Sequence, residues 1–331
     1  TIMEVCGSHT YAIGYHGIRG MLPEGIRLVS GPGWPVCVTS VHDIDVALYI
    51  AGLKDVVFVT FGDMLKVPGT LGNSLQKVRA AGAEVHIVSS PSECIALSRK
   101  NPEKQIVFMG IGFETTTPTI AATVLTAKKQ GIKNISVLSV HKVIPPAVAA
   151  LINDPALSID AFLCPGHVST ILGVDAYAII PEHGCAAVIT GFEPIDILQG
   201  ILMILNQIVK KDYSVEIQYT RAVNPGGNAK ARAVIDEVFT HSDANWRGLG
   251  VIPGSGLRFR DAYKEFDAEA RFDIPEIASR EDKACRCGDI LRGVINPLEC
   301  PLFRTVCTPE NPVGPCMVSH EGTCGTYYKC H

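Results

Sequence analysis

No uninterrupted run of about 18 apolar residues occurs, the length a membrane-spanning helix requires. The longest greasy stretch, PIDILQGILMILNQIVKK, is broken by Asp196, Gln199 and Asn206, so it reads as an amphipathic or buried helix and no membrane attachment is expected. The first residues, TIMEVCGSHT, lack the basic segment and apolar core of a secretory signal. No export is therefore assigned, and a cytoplasmic location is expected. Excess charge of one sign is missing too. A formal net charge of −4 over 331 residues argues against the basic footprint of a nucleic-acid binder and the acidic excess of a disordered tail. Proteins or small molecules are the expected partners.

The chain is rich in buried-type residues. Hydrophobic side chains make up 47% of it, and a chain of this length buries about three quarters of its unfolded surface, usually in two or three domains. Short apolar runs recur: VVFVTFGD (56–63), EVHIVSSP (84–91), QIVFMGIGFET (105–115), NISVLSVHK (134–142), AFLCPGHVS (161–169) and AAVITGFEP (186–194). They do not alternate and are rich in β-branched residues, the signature of strands buried on both faces. Helical patterns at 41–53, 73–83, 118–131 and 145–154 lie between them, with Pro118 and Pro145 at first-turn positions. The rhythm predicts parallel α/β architecture. It runs once before and once after GFETTTP (112–118), which predicts α/β domains at 1–111 and 112–245 facing a cleft. The region 246–331 is richer in Gly, Pro and Cys and is expected to be held by cysteine chemistry. Within it, WRGLGVIPGSGLRFRDAY (246–263) reads as an irregular connector with Arg258 and Arg260 exposed.

Twelve cysteines are present, five in the first 284 residues and seven in the last 47. Without an export signal, such crowding points to metal or redox chemistry before disulfides. Cys285, Cys300, Cys307 and Cys324 stand at x14, x6 and x16 spacings, with Cys287 and Cys316 inside that frame and Cys330 outside it. Four thiolates complete either a structural zinc site or an iron–sulfur cluster. Residue chemistry alone favours zinc.

Further candidates lie nearer the N-terminus. In EVCGSHTYAI, Cys6 and His9 are three apart and SHT is placed to cap a helix; a thiol at a helix N-terminus beside an imidazole has its pKa lowered, and the two side chains at this spacing can grip one metal ion. Taken in isolation, the motif favours the plainer reading of a buried Cys with a hydrogen-bonded His near a cap. The loop SGPGWPVCVTS (30–40) is rich in Gly and Pro and reads as tight and exposed, yet it carries one sulfur, Cys37, where Cys-x-x-Cys would carry two. GIGFETTTP opens a helix after a strand with Thr caps, but it is not a nucleotide-binding fingerprint. Its Glu114 stands at a strand's carboxyl end, where α/β proteins place working residues. His141, Lys142 and His167 follow strands in the same way and suggest a polar cleft.

Taken together, MEVCGSHT, GPGWPVCV, GFETTTP, SVHKVIPPA, PGHVSTILG, VITGFEPIDIL, WRGLGVIPGSGL and the terminal block CRCGDILRGVINPLECPLFRTVCTPENPVGPCMVSHEGTC resemble the HypD family of [NiFe]-hydrogenase maturation proteins, in order and through essentially the whole chain. The resemblance implies two similar parallel-sheet α/β domains facing a cleft and a small C-terminal iron–sulfur domain. It implies a scaffold, working with the small chaperone HypC and receiving cyanide from HypE, on which the Fe(CN)2CO unit is built. By motif, Cys285, Cys300, Cys307 and Cys324 would ligate a [4Fe-4S] cluster, replacing the zinc reading, and Cys287 with Cys316 would be a nearby redox-active pair. Cys6, His9 and Cys37 would surround the iron under construction, Cys6 and Cys37 as ligands, with Glu114 and Thr115 in the cleft. The chain departs from the family loop, Gly-Pro-Gly-Cys-Pro-Val-Cys, at Trp34. An iron–sulfur thiol–disulfide oxidoreductase is the alternative that the cysteine block also suits. A zinc-stabilised enzyme acting on a phosphorylated ligand at GFETTTP is a third.

Overall fold

The six apolar runs all form strands in the computed structural model, which describes residues 1–330. In chain order the strands are β1 (Ile2–Glu4), β2 (Leu28–Ser30), β3 (Val56–Thr60), β4 (Val85–Ile87), β5 (Gln105–Gly110), β6 (Ile135–Ser139), β7 (Ala161–Pro165), β8 (Ala186–Thr190), β9 (Val215–Ile217), β10 (Phe239–Trp246) and β11 (Gly250–Phe259). β3, β7 and β8 are buried at every residue, which explains why their sequences do not alternate: helices cover both faces of a parallel sheet. Three strands of three residues, β1, β2 and β9, are too short to stand out by pattern.

Two all-parallel sheets result, one in the order β2-β1-β7-β8-β9 and one in the order β4-β3-β5-β6. The chain starts the first sheet, builds the whole second sheet between residues 56 and 139, and then returns to the first at β7. Met3 accordingly pairs with both Val29 and Phe162. The division expected at 111/112 falls between β5 and the helix Thr117–Lys129, while β1 and β2 share a sheet with residues 161–217.

The expected helices form at Val41–Ala51, Leu75–Ala80, Thr117–Lys129 and Ile144–Ile152, and Pro118 and Pro145 lie in first turns. The first turn tolerates proline because its N–H groups have no partner inside the helix. The greasy stretch becomes the helix Pro194–Lys210, opened by a capping box of Glu193 and Asp196. It buries Ile197, Ile201 and Ile204 and leaves Ile195, Leu202 and Val209 exposed. Among the described residues no helix is long and apolar enough to cross a membrane.

One expectation is corrected here. Most of the stretch 246–263 is not irregular: β10 and β11 form an antiparallel hairpin, with Gly248 and Gly250 at positive φ in the turn. Its many glycines disguise a strand of ten residues. Arg258 and Arg260 are exposed, as expected. Trp246 is fully buried at the end of β10, its indole N–H donating to Ser255 Oγ at 2.7 Å. A single apolar cluster runs from Phe58 and Phe162 through Trp246 to Cys287, Cys307, Cys316 and Cys324. The C-terminal cysteine region therefore shares the core of the two sheets.

Phe162 is fully buried in β7 whereas Leu202 is 59% exposed. Phe162→Ala should lower the unfolding free energy by about 3–5 kcal/mol, and Leu202→Ala should change it by no more than about 0.5 kcal/mol. Urea unfolding followed by circular dichroism measures both.

Candidate functional site

Parallel strands deliver their carboxyl ends to one edge of each sheet, and three connections of the first sheet meet one of the second. They are the start of the helix Gly7–Tyr15 after β1, the Gly31–Pro35 loop after β2, the turn Phe113–Thr116 after β5, and residues 165–168 at the end of β7. Together with Glu321 from the C-terminal region they line a cavity of about 250 Å³ containing Cys6, Trp34, Thr115 and His167. The Gly- and Pro-rich loop is buried at Gly31, Pro32 and Trp34, contrary to the exposed loop expected. It packs so tightly that a Cβ on Gly33 would lie 2.1 Å from the Cys6 nitrogen, and the Gly33 carbonyl accepts the Gly7 N–H at 2.9 Å.

Cys6, not Ser8, occupies the N-cap of the helix, and its side chain makes no capping bond. Its thiol is pushed up to about 12, mainly by burial and further by the charges of Glu4 and Glu321, while the N–H groups of Ser8 and His9 oppose the rise. The expected lowering is overturned because desolvation outweighs the helix terminus. Glu4 lies behind it, fully buried, with Oε2 accepting the Cys6 N–H at 3.2 Å and Oε1 accepting from Thr10 Oγ1 at 2.5 Å. Burial raises Glu4 to about 7.

His9 does not line the Cys6 cavity. It is buried against the end of β8, with Nε2 2.9 Å from the Gly191 carbonyl and 3.0 Å from Thr190 Oγ1. The carbonyl requires Nε2 to carry the proton, so Nδ1 is a buried acceptor without a partner. Burial lowers its pKa to about 4 and keeps it neutral. Glu114 and Thr115, neighbours in sequence, face different cavities, and only Thr115 faces Cys6. Thr116 precedes the helix Thr117–Lys129 but makes no side-chain cap. The three strand-end residues expected in one cleft also separate: His167 lines the Cys6 cavity, stacked on Phe192 at 3.9 Å, while His141 and Lys142 line another with Asp43, which pairs with Lys142 at 3.1 Å.

Trp34 caps the short helix Pro35–Val38, its carbonyl accepting the Cys37 N–H at 3.0 Å. Cys37 is buried, its thiol raised by burial and in contact with the Cys316 thiol. Cys316 Sγ is in turn 2.7 Å from Cys287 Sγ, and Cys287 contacts Cys285. Six cysteines, Cys285, Cys287, Cys300, Cys307, Cys316 and Cys324, line one small cavity. Gly314 lets the sulfurs approach, since a Cβ there would lie 2.6 Å from Cys285 Sγ. Cys307 Sγ accepts the Val313 N–H at 3.3 Å. Cys330 is not in this wall. Among the described residues no group of three His, Cys, Asp or Glu side chains is arranged to hold a single metal ion.

Two residues of the Cys6 region escaped sequence reasoning. Glu321, whose Oε1 accepts from Ser8 Oγ at 3.1 Å, is hidden among the cysteines of the terminal block. Glu4 belongs to a strand too short to recognise.

The family model described as "HypD: Hydrogenase formation hypA family" matches residues 1–331. The hydrogenase maturation factor HypD of Azotobacter vinelandii is 46% identical over 99% of this chain and 88% of that protein. A putative hydrogenase expression/formation protein of Methanocaldococcus jannaschii is 47% identical over 99% of this chain and 91% of that protein. For the Escherichia coli hydrogenase maturation factor HypD the figures are 43%, 99% and 88%.

Thiols in contact form a bond of about 2.05 Å once oxidised. Diamide treatment of metal-free protein should therefore link Cys287 to Cys316 first, visible by peptide mapping and abolished by Cys316→Ser. A Cys285–Cys300 link as the main product would contradict this arrangement.

Proposed function

The chain belongs to the HypD family of hydrogenase maturation factors, and from that premise we propose that it is the scaffold on which, with a HypC-like small chaperone, the Fe(CN)2CO unit of [NiFe] hydrogenase is assembled, with HypE as cyanide donor. The observation that carries this reading is the position of the helix Pro35–Val38. Its Trp34 end lies in the wall of the Cys6 cavity, and its Cys37 thiol touches Cys316 in the wall of the six-cysteine cavity. One short helix thus joins a place where iron can be held to a place where electrons can be stored.

The iron under construction is the substrate, and thiolates suit a soft low-spin iron that carries cyanide and CO. Cys6 is a protonated thiol at neutral pH. An approaching cation reverses the local field and releases its proton, as thiol ligands do on metal binding. Glu4 and Glu321, whose charges reach Cys6, are the nearby bases for that proton. Thr115 and His167 line the space beside it.

Cys285, Cys300, Cys307 and Cys324 would hold a [4Fe-4S] cluster. The donor set fits, since all four cysteines line one cavity and Gly314 leaves room for the Cys285 sulfur there. When bound, the cluster supplies electrons to adjacent groups. Cys287 and Cys316 hold two electrons as a dithiol, and Cys37, in contact with Cys316, extends the series toward the Cys6 cavity. The same contacts favour a second reading, an iron–sulfur thiol–disulfide oxidoreductase. An indole at position 34 weighs against it, because exchange within that loop needs a second sulfur.

Anaerobically isolated protein should contain about four irons with matching labile sulfide, and Cys300→Ala should lose both. Stoichiometric zinc without labile sulfide would refute the cluster. Co-purification with a HypC-like protein, read by infrared for bound CN and CO, separates the scaffold from the oxidoreductase, which would carry neither ligand.

Trp34→Cys should raise hydrogenase maturation in a complementation assay while leaving iron and sulfide content unchanged. Full maturation by the Trp34 form would show that a second sulfur in the loop is dispensable.

A further inference from the structure

Arg247 follows the last residue of β10 and is only 5% exposed. Its backbone N–H donates to the Val38 carbonyl at 2.8 Å, one residue beyond Cys37. Gly248, next in the chain, is pressed against Gly288, one residue beyond Cys287; a Cβ on Gly248 would lie 2.2 Å from the Gly288 Cα. The hairpin turn thus holds Arg247 between the helix Pro35–Val38 and the helix Cys287–Leu291.

An arginine keeps its charge when buried, so burial calls for an anion beside it. Arg247 has none. Nη1 donates to the Pro68 carbonyl at 3.2 Å, and among the described residues no carboxylate pairs with it. Asp45, a buried carboxylate, is engaged by the Thr70 N–H and Oγ1 two residues beyond Pro68 and forms no ion pair with Arg247. The charge of Arg247 does reach Cys285, where it opposes the rise of the thiol that the Cys287 hydrogen bond and burial cause. Arg286 faces the cysteine frame through Cys300, but it is half exposed and already paired with Asp289. No charged side chain lines the six-cysteine cavity itself.

The buried cation and the thiol frame are complementary. Four thiolates around an iron–sulfur core make a net anion, and each electron accepted makes it more negative. We infer that Arg247 is the counter-charge of the centre held by Cys285, Cys300, Cys307 and Cys324, and that its guanidinium favours the reduced state of that centre. The inference rests on the cluster reading above and adds to it a positioning residue that supplies no ligand and acts through its field.

Anaerobic redox titration of the loaded full chain, followed by visible absorbance, tests the assignment. Arg247→Gln should shift the reduced-to-oxidised ratio at fixed potential about tenfold toward the oxidised form, a fall of about 59 mV in midpoint for one electron. Arg247→Lys restores the charge and should recover most of that shift. Arg258→Gln, which removes an exposed charge from the same hairpin, should leave the midpoint where it is. An unchanged midpoint in Arg247→Gln overturns the assignment, and so does a fall in Arg247→Lys as large as that in Arg247→Gln. If Arg247→Gln assembles no cluster, retention of iron and sulfide by Arg247→Lys supports the assignment and loss in both variants overturns it. The cluster reading fails differently, through zinc without labile sulfide in the unmutated chain. Zinc in four thiolates is also a net anion, so a chelator competition should then show zinc held about tenfold more weakly by Arg247→Gln than by Arg247→Lys, and equal affinities would overturn the counter-charge.

Discussion

Everything at the candidate site depends on the pairing of a three-residue strand. β1 lies between β2 and β7, with Met3 opposite Val29 on one side and Phe162 on the other. Because the three strands are parallel, the residues that follow each of them emerge at the same edge, and Cys6, Gly33 and His167 meet there although up to 161 positions separate them in the chain. The helix that follows β1 then docks the C-terminal region: Gly14 is pressed against Thr326, so closely that a Cβ would lie 2.4 Å from its methyl group. That contact helps bring Glu321 to Ser8 and Cys316 to Cys37. Long-range pairing of this kind is slow to find and strongly specified once formed, since a slip of one residue would turn each buried side chain to the opposite face.

Burial without full compensation is the recurring electrostatic theme. Desolvation keeps Cys6 and His9 uncharged and raises the carboxyls of Glu4 and Glu114 to about 7, so that both are only partly ionised at neutral pH. The thiols of Cys37 and Cys316 are raised for the same reason. Buried groups of this kind carry less charge at rest than they would in water, and an ion of opposite charge brought beside one would shift its proton equilibrium. This also separates structure from chemistry: the groups that would be costly as ions in the free protein are those with most to gain from a ligand.

Much of the secondary structure was legible because each of β3 to β8 carries an unalternated apolar run and four of the helices a periodic one, whereas the short helix Glu93–Lys100 between β4 and β5 was not. The hairpin was not, because Gly250, Gly254 and Gly256 make β11 look like loop. The grouping of strands into sheets was not either, since periodicity reports burial and is silent about partners. At the site, the cysteine frame was legible from spacing, and six of its sulfurs do line one cavity. The partnership of Cys6 with His9 was suggested by proximity in sequence. The helix instead turns the imidazole toward β8, where Gly191 and Thr190 engage it.

By itself the sequence determined that parallel strands would form, that thiols would crowd near the C-terminus, and that the loop after β2 would offer one sulfur where Trp34 stands, for these follow from residue type and local spacing. Only the tertiary structure decided which carboxyl ends share an edge, that Glu114 and Thr115 look into separate cavities, and that Cys37 reaches Cys316. Those outcomes rest on the packing of segments far apart in the chain, where desolvation and contact act through space and leave no trace in local pattern.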